Sequence, residues 1–227
     1  PLDFFDSVQS LVKILPEKID EYENLLTGNP IFINRLKGVG YLSAADAIAL
    51  GVTGPPVRAS GVDWDLRREM PYSSYEKVRF GLPISQDGDV WARYLVRLKE
   101  MRESVKICQQ ALDGMPEGPI KADAPHVVLP DREKMKTQME ALIYHFKIVT
   151  EGFQVPAGEV YQAVESPRGE MGYYAVSDGT AKPYRVHMRN PSFATLQALE
   201  TMCVGRLIAD VVAVIGSIDI VLGEIDR

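Results

Sequence analysis

The residues able to do chemistry are few and scattered. His126, His145 and His187 are the three histidines of the 227-residue sequence. The first lies in a Pro-rich stretch, the second in a helical pattern and the third in an alternating one, with no HxxxH or HxH pair among them. A zinc or iron site needs ligands at recognisable spacings, so three unrelated histidines and no metal site are expected. Cys108 and Cys203 lie in apolar, helical surroundings without CxxC spacing, which reads as two buried thiols in a reducing compartment rather than a disulfide. Ser166 is not in a GxSxG elbow, and neither cysteine has a histidine at a motif distance. The stretch GVTGPPVRASG, residues 51–61, lacks both GxGxxG and a GK[ST] ending and reads as a loop, not a phosphate cradle. With 31 acidic residues, carboxylate pairs are plentiful and none stands out.

Two constellations remain. In Glu165-Ser-Pro-Arg-Gly-Glu170, opposite charges flank a rigid Pro and a Gly between two alternating segments; a charged turn is the plain alternative to a site. The other is the terminal run SIDIVLGEIDR, Ser217 to Arg227. If it runs extended after a break at Gly216, Asp219, Val221, Gly223, Ile225 and Arg227 share one face, and Ile218, Ile220 and Leu222 the other. A buried Asp219 must be paired, with Arg227 as the partner at hand, or protonated. A core plug with its charges at the solvent edge competes with a functional tail.

The elements that must position these groups follow from periodicity. Asp3 to Leu26 repeats apolar residues near 3.6, with Pro16 expected to kink or divide the helix. Ser43 caps a short helix to Leu50, with Asp46 at its third position. The segment WDLRREMPYSSY reads as a solvated, irregular connection. Asp87 to Leu112 is the clearest helix: Trp91, Tyr94, Leu95, Leu98, Met101, Val105, Cys108 and Leu112 form its apolar stripe, and Arg93 and Arg97 lie mostly elsewhere. Residues 115–130 make a linker, and Asp131 to Thr150 a second long helix with a packing seam of Met135, Met139, Leu142, Phe146 and Val149. Three short strands lie between Gly158 and Met188, the last two joined by a turn at Ser177–Thr180. Ser192 then caps a helix to Ile215, apolar almost all round and therefore expected to be buried.

The fold class expected is α+β and mainly helical: a bundle with a small antiparallel sheet inserted before its last helix. Its divisions are a helical part, 1–114 and 131–151, with a loop at 51–86; a β lobe at 158–188; and a buried helix with its tail at 192–227. A formal net charge of -6 argues against a nucleic-acid partner, because phosphate binding needs a basic face. Leu207 to Gly223 carries Asp210 and Asp219 and is too short and charged to span a bilayer unaided. No signal peptide is visible. A start at Pro1, inside an amphipathic pattern, suggests a piece of something longer.

The runs KGVGYLSAADAIALGVTGPPVRASGVDWDLRREMPYSSY, GDVWARYLVRLKEMRESVKICQQAL, MEALIYHFK, ESPRGEMGYYAVSDG, KPYRVHMRNPSF and ADVVAVIGSIDIVLGEIDR together resemble the C-terminal part of the D subunit of bacterial complex I, the proton-pumping NADH–quinone oxidoreductase. That family is similar to the large subunits of nickel–iron hydrogenases, whose tails end in Asp-Pro-Cys-x-x-Cys-x-x-His/Arg. Laid on this sequence the Asp is Asp219, the cysteines fall on Val221 and Glu224, and the last position is Arg227; without thiolates no nickel is held. The resemblance implies that Asp219, Val221 and Arg227 line a quinone-reduction chamber, with Glu165 and Arg168 near it. It also implies NAD and iron–sulfur clusters bound by partner subunits and none by this chain. One partner carries the terminal cluster, the membrane arm is reached through others, and the location is peripheral on the cytoplasmic side of the bacterial inner membrane. The family's quinone-headgroup ligands, a histidine and a tyrosine, belong to a part with no match here, so the chain alone is expected not to reduce quinone. A non-catalytic scaffold of a redox complex and the ferredoxin-driven photosynthetic relative are the alternatives.

Overall fold

The computed structural model describes residues 4–226. In chain order it contains helices α1 (Phe4–Leu26), α2 (Pro30–Leu36), α3 (Ala44–Ala49), α4 (Pro55–Ala59) and α5 (Leu66–Glu69), a 3-10 turn (Tyr75–Lys77), and α6 (Val90–Asp113). These are followed by α7 (Arg132–Thr137), α8 (Met139–Thr150), strands β1 (Gly158–Ser166), β2 (Gly169–Ser177) and β3 (Arg185–Arg189), and helices α9 (Pro191–Leu196), α10 (Leu199–Cys203), α11 (Ile208–Ile218) and α12 (Leu222–Ile225). The mainly helical α+β class is as expected, and the small antiparallel sheet has the order β1-β2-β3.

The chain divides into two compact units: one made of residues up to Met115, Ala163–Met171 and from Arg189 on, the other of Pro116–Gln162 and Gly172–Met188. In the first, α6 is the central helix, packed on α1, α4 and α11. Its core joins Leu42, Val52, Val57, Val90, Met202, Val214 and Ile218. Local chemistry sets the boundaries. The Asn29 carboxamide oxygen accepts from the N–H of Ile31, at 2.9 Å, and of Phe32, which with Pro30 in first position starts α2. Ser43 accepts the Asp46 N–H at 3.0 Å and so caps α3 as the sequence implies. Asp89 starts α6 by accepting the Ala92 N–H at 2.7 Å, and its other oxygen takes the Gly38 N–H at 2.6 Å.

Several expectations fail for definite reasons. α1 is not divided at Pro16, one of the two effects expected of it there. α6 buries Val90, Ala92, Arg93, Val96, Leu98 and Leu112, while Met101 and Cys108 are exposed. Its first half is enclosed on more than one side, so the apolar stripe does not decide which residues go inside. Arg93 is admitted because every nitrogen finds an acceptor: Nε on Ser217 Oγ (2.9 Å), Nη1 on the Gly88 carbonyl (3.0 Å) and Nη2 on the Gly40 carbonyl (2.7 Å). The stretch WDLRREMPYSSY is mostly solvent-facing as expected, but Asp65 and Leu66 within it are buried and a short helix, α5, starts there.

The long last helix is three helices, with Ser192 inside α9 rather than capping it. Gly205 at φ +78 breaks the run after α10. α11 buries Val214 and Ile218 but leaves Ile208 and Val212 in solvent, so its all-round apolar surface is only half covered among the described residues. Cys203 is half-buried and Cys108 exposed, both free.

In the second unit the expected helix from Asp131 to Thr150 is cut at Gln138, whose backbone is extended (φ -124°, ψ 119°). Met139, Phe146 and Val149 are exposed, so the seam has no opposing helix among the described residues. After β2 the chain turns as the Ser-Asp-Gly-Thr run implies: Asp178 Oδ1 accepts the Thr180 N–H (3.0 Å) and Tyr184 donates back to the Val176 carbonyl (2.8 Å).

Candidate functional site

The first unit holds a buried ionic hub centred on Arg58 of α4, whose side chain is 1% exposed. Its Nε donates to Glu100 of α6 at 2.6 Å, and its Nη1 to Glu165 at the end of β1 at 2.8 Å. Nη1 also donates to the Trp64 carbonyl at 3.1 Å and stands 3.5 Å from Asp65. Asp65 in turn takes both Nη2 (2.6 Å) and Nε (3.0 Å) of Arg67, a bidentate pair. Burial works against the Arg58 charge, but Glu100 and Glu165 more than offset it and its pKa rises. Burial likewise works against the Asp65 charge, but Arg67 and then Arg58 hold it below the usual carboxylate range. Glu165 goes the other way: burial, joined by the Asp65 charge, raises its pKa against the pull of Arg58. Three carboxylates share two guanidiniums here, and Glu165 bears the excess.

Glu165 and Arg168 belong to the tip of the β1–β2 hairpin, and the hub is what seats that tip. Tyr72 adds a clasp, its hydroxyl accepting the Glu165 N–H at 2.9 Å. On the other side Thr53 Oγ1 accepts the Glu170 N–H at 2.9 Å, and Arg189 Nη1 and Nη2 donate to the Glu170 and Gly51 carbonyls at 2.6 and 3.0 Å. The approach requires glycine on both surfaces. A Cβ on Gly54 (φ +74) would stand 2.5 Å from the Gly169 Cα, and one on Gly169 (φ +137) 2.5 Å from Thr53 Oγ1.

The seated tip meets the end of α11. Arg168 Nε donates to the Asp219 carbonyl at 2.8 Å and stands 3.5 Å from its carboxylate. Asp219 caps α11 in the left-handed conformation (φ 53°, ψ 53°). The two constellations singled out by residue type are thus brought together, but not in the expected geometry. The tail is not an extended strand. α11 runs through Gly216, Val221 is the residue before α12, and α12 is a helical turn, so the alternating-face reading of Asp219, Val221, Gly223 and Ile225 does not hold. Nor is Asp219 buried: its side chain is 47% exposed, on the rim of the site. Arg227, the expected fifth member and the partner proposed for Asp219, lies outside the described residues. Glu224 anchors the tail instead, bonding the Ser192 hydroxyl by its carboxylate and taking Asn190 Nδ2 on its carbonyl at 2.9 Å.

Arg58, Asp65, Glu100 and Tyr72 were not expected. A lone basic residue inside the apolar run VTGPPVRASGV is the signal that pointed to Arg58, since an arginine there must either leave the core or bring carboxylates into it. Chemically the arrangement is a cationic corner, in which Arg168 and the buried Arg97 of α6 lie near enough for each charge to oppose the other, bordered by the exposed Asp219 carboxylate and seated by the ionic hub. It suits an acceptor-bearing polar ligand. No group of three or more His, Cys, Asp or Glu side chains among the described residues is placed to hold a metal ion. No helix among them is long and apolar enough to cross a membrane.

The whole chain, residues 1–227, matches the family model described as the 49 Kd subunit of respiratory-chain NADH dehydrogenase. It is 69% identical over all its 227 residues to the D 2 subunit of NADH-quinone oxidoreductase from Koribacter versatilis (strain Ellin345), covering 57% of that protein. It is 63% identical over the same length to the D 1 subunit from Solibacter usitatus (strain Ellin6076), covering 56%, and 56% identical to the D subunit from Geotalea uraniireducens (strain Rf4), covering 58%. The chain therefore spans somewhat over half the length of these relatives. On the match along its entire length, the chain belongs to the family of the 49 kDa subunit of respiratory-chain NADH dehydrogenase.

Proposed function

We propose that the chain is part of the D subunit of an NADH–quinone oxidoreductase of the proton-translocating type, and that the hairpin tip and the end of α11 wall its quinone-reduction chamber. The observation that carries this reading is the contact of Arg168 Nε with the Asp219 carbonyl at 2.8 Å, which joins the Glu-Ser-Pro-Arg-Gly tip to the tail. Asp219, Val221 and Arg227 line the chamber in this reading, with Glu165 and Arg168 beside them. Electrons reach the quinone from an iron–sulfur cluster in a partner subunit; NAD is bound elsewhere in the complex, and the membrane arm is reached through other subunits. In this reading the subunit itself is peripheral, on the cytoplasmic side of the bacterial inner membrane. The relatives are named for NADH and quinone, which favours NADH over ferredoxin as the donor.

This chain's residues supply electrostatics and positioning. A quinone gains negative charge as electrons arrive, and the cationic corner stabilises that charge before protons do. Asp219, exposed on the rim, is placed to exchange protons with water and pass them toward the reduced oxygen. The Arg58 hub, through Glu165, seats the hairpin tip that carries Arg168. Asp219→Asn in the full subunit, assembled in its complex, is expected to lower quinone turnover roughly tenfold with assembly intact. Wild-type turnover refutes the chamber role.

A scaffold role without chemistry is favoured by one observation, the apolar residues Ile208 and Val212 that α11 leaves in solvent, which suit a contact with another subunit. Val221→Trp separates the two readings: it alters quinone or inhibitor affinity if the tail walls the chamber, and leaves both unchanged if it only docks.

A further inference from the structure

Arg97 is one turn beyond Arg93 on α6, and the two buried guanidiniums are treated differently by the fold. Arg93 has neutral acceptors on all three nitrogens. Among the described residues Arg97 has a single long bond, from Nη1 to the Arg93 carbonyl at 3.4 Å. Its Nε and Nη2 are shut off from solvent and have no acceptor among the described residues. Of the neighbouring acids, Glu100 holds Arg58 at 2.6 Å, and the half-exposed Asp219 carboxylate stands 3.5 Å from Arg168 Nε. Asp219 is the acid that acts most strongly on Arg97, followed by Glu100, while Arg58 and Arg168 oppose its charge. Burial, the largest influence, pulls the Arg97 pKa down, and burial with the Arg97 charge pulls Arg93 down to about 10. A guanidinium keeps its proton in proteins, so burial weakens the hold on the charge without removing it.

A buried charged donor is rarely left unpaired in a finished site. The Nε–H and Nη2–H of a guanidinium point the same way and form a two-donor edge that fits one charged oxygen or the two oxygens of a carboxylate. We propose that this edge of Arg97 binds an anionic oxygen of the molecule held at the Arg168–Asp219 corner, and that the oxygen belongs to the quinone headgroup as it is reduced. The inference rests on the chamber reading above and adds to it a binding residue on α6, outside the tail and the hairpin. Arg97 donates hydrogen bonds and keeps its protons. The two electrons come from NADH through the complex and the two protons from water by way of acidic groups, so quinone becomes quinol with the arginine unchanged. The other source of such an oxygen is a protein carboxylate, from the rest of the subunit or from a partner.

The test uses the assembled complex with full-length subunit carrying Arg97→Gln or Arg97→Lys. Readouts are assembly, kcat and KM with a short-chain ubiquinone analogue, and NADH oxidation by a water-soluble one-electron acceptor that bypasses quinone. Arg97→Gln is expected to lower quinone kcat/KM at least tenfold with assembly and the bypass reaction unchanged. Arg97→Lys, which keeps the charge without the fork, should fall between. Wild-type kcat/KM in Arg97→Gln overturns the proposal. So does a Gln variant that fails to assemble while Lys assembles with wild-type kinetics, or failure of both to assemble, since each assigns the edge to a protein carboxylate. Asp219→Asn measured alongside separates the two levels. If it is impaired and Arg97→Gln is not, this inference alone fails; if Asp219→Asn has wild-type turnover, the chamber reading fails.

Discussion

Replacing Arg58 by Met tests the hub directly. The substitution leaves three carboxylates around a site of similar volume, but they are not equally stranded. Asp65 keeps Arg67 at 2.6 Å, and Glu100 borders solvent and can turn to water. Glu165, 3% exposed, keeps one weak donor, the Leu66 N–H at 3.4 Å. The cost is therefore that of one uncompensated buried charge, about 3–5 kcal/mol. Protonation relieves part of it, because the Glu165 pKa is already raised by burial and rises further without Arg58; we expect about 3 kcal/mol at pH 7. At about 2–4 °C per kcal/mol for a chain of this size, Tm falls by about 6–12 °C. Urea unfolding of the chain at pH 7 and pH 5, with calorimetry, measures it. The gap between variant and parent should narrow toward pH 5, since protonating Glu165 removes the stranded charge. Adding Glu165→Gln to Arg58→Met should recover at least half the loss. A cost under about 1 kcal/mol at pH 7, or a double variant whose loss is the sum of the single ones, refutes the argument.

Two further outcomes follow from the same region. Asp65→Asn should cost roughly 3 kcal/mol at neutral pH. The folded-state pKa of Asp65 is depressed, so its contribution is present above its ordinary carboxylate range and lost on acidification; the difference from the parent should close only in strong acid, as an acid-unfolding series would show. Gly54→Ala forces a left-handed residue and drives a methyl group to 2.5 Å from the Gly169 Cα. It should cost about 1–3 kcal/mol and unseat Arg168 from Asp219, read as a lower Tm together with lost quinone turnover in the complex; an unchanged Tm contradicts the packing described.

What the sequence made legible was local. The Ser43 cap, the extent of α6 and the turn after β2 are decided by neighbours a few positions away, and pattern reading reaches them. The pairing of Glu165 with Arg58 and of Arg168 with Asp219 is decided by chain segments 107 and 51 positions apart, which leave no periodic trace. The residue types of the site were visible; its geometry was not. The extended reading of the tail, one of two left open for it, came from alternation, the one simple rule for an apolar run with spaced charges. A helix that continues through Gly216 and ends in a left-handed aspartate breaks that rule. Arg93 and Arg97 were placed on a polar face because charge predicts exposure unless acceptors are supplied from elsewhere, and the Ser217 hydroxyl and the Gly40 and Gly88 carbonyls supply them to Arg93.

The long reach of the hairpin tip also bears on when the site exists. Closing a chain segment of 107 residues, the separation of Arg58 and Glu165, costs roughly 4 kcal/mol in loop entropy, and such contacts are rewarded only after the local helices have formed. On this argument the tip is a late arrival on a folded scaffold, held by ionic and neutral hydrogen bonds and by the close approach of Gly54 and Gly169. Its opening is a local equilibrium with a smaller free energy than global unfolding. A protein that stays folded by every spectroscopic measure can thus spend part of its time with the corner at Arg168 unmade, and whatever seats against that corner shifts the equilibrium toward the closed form.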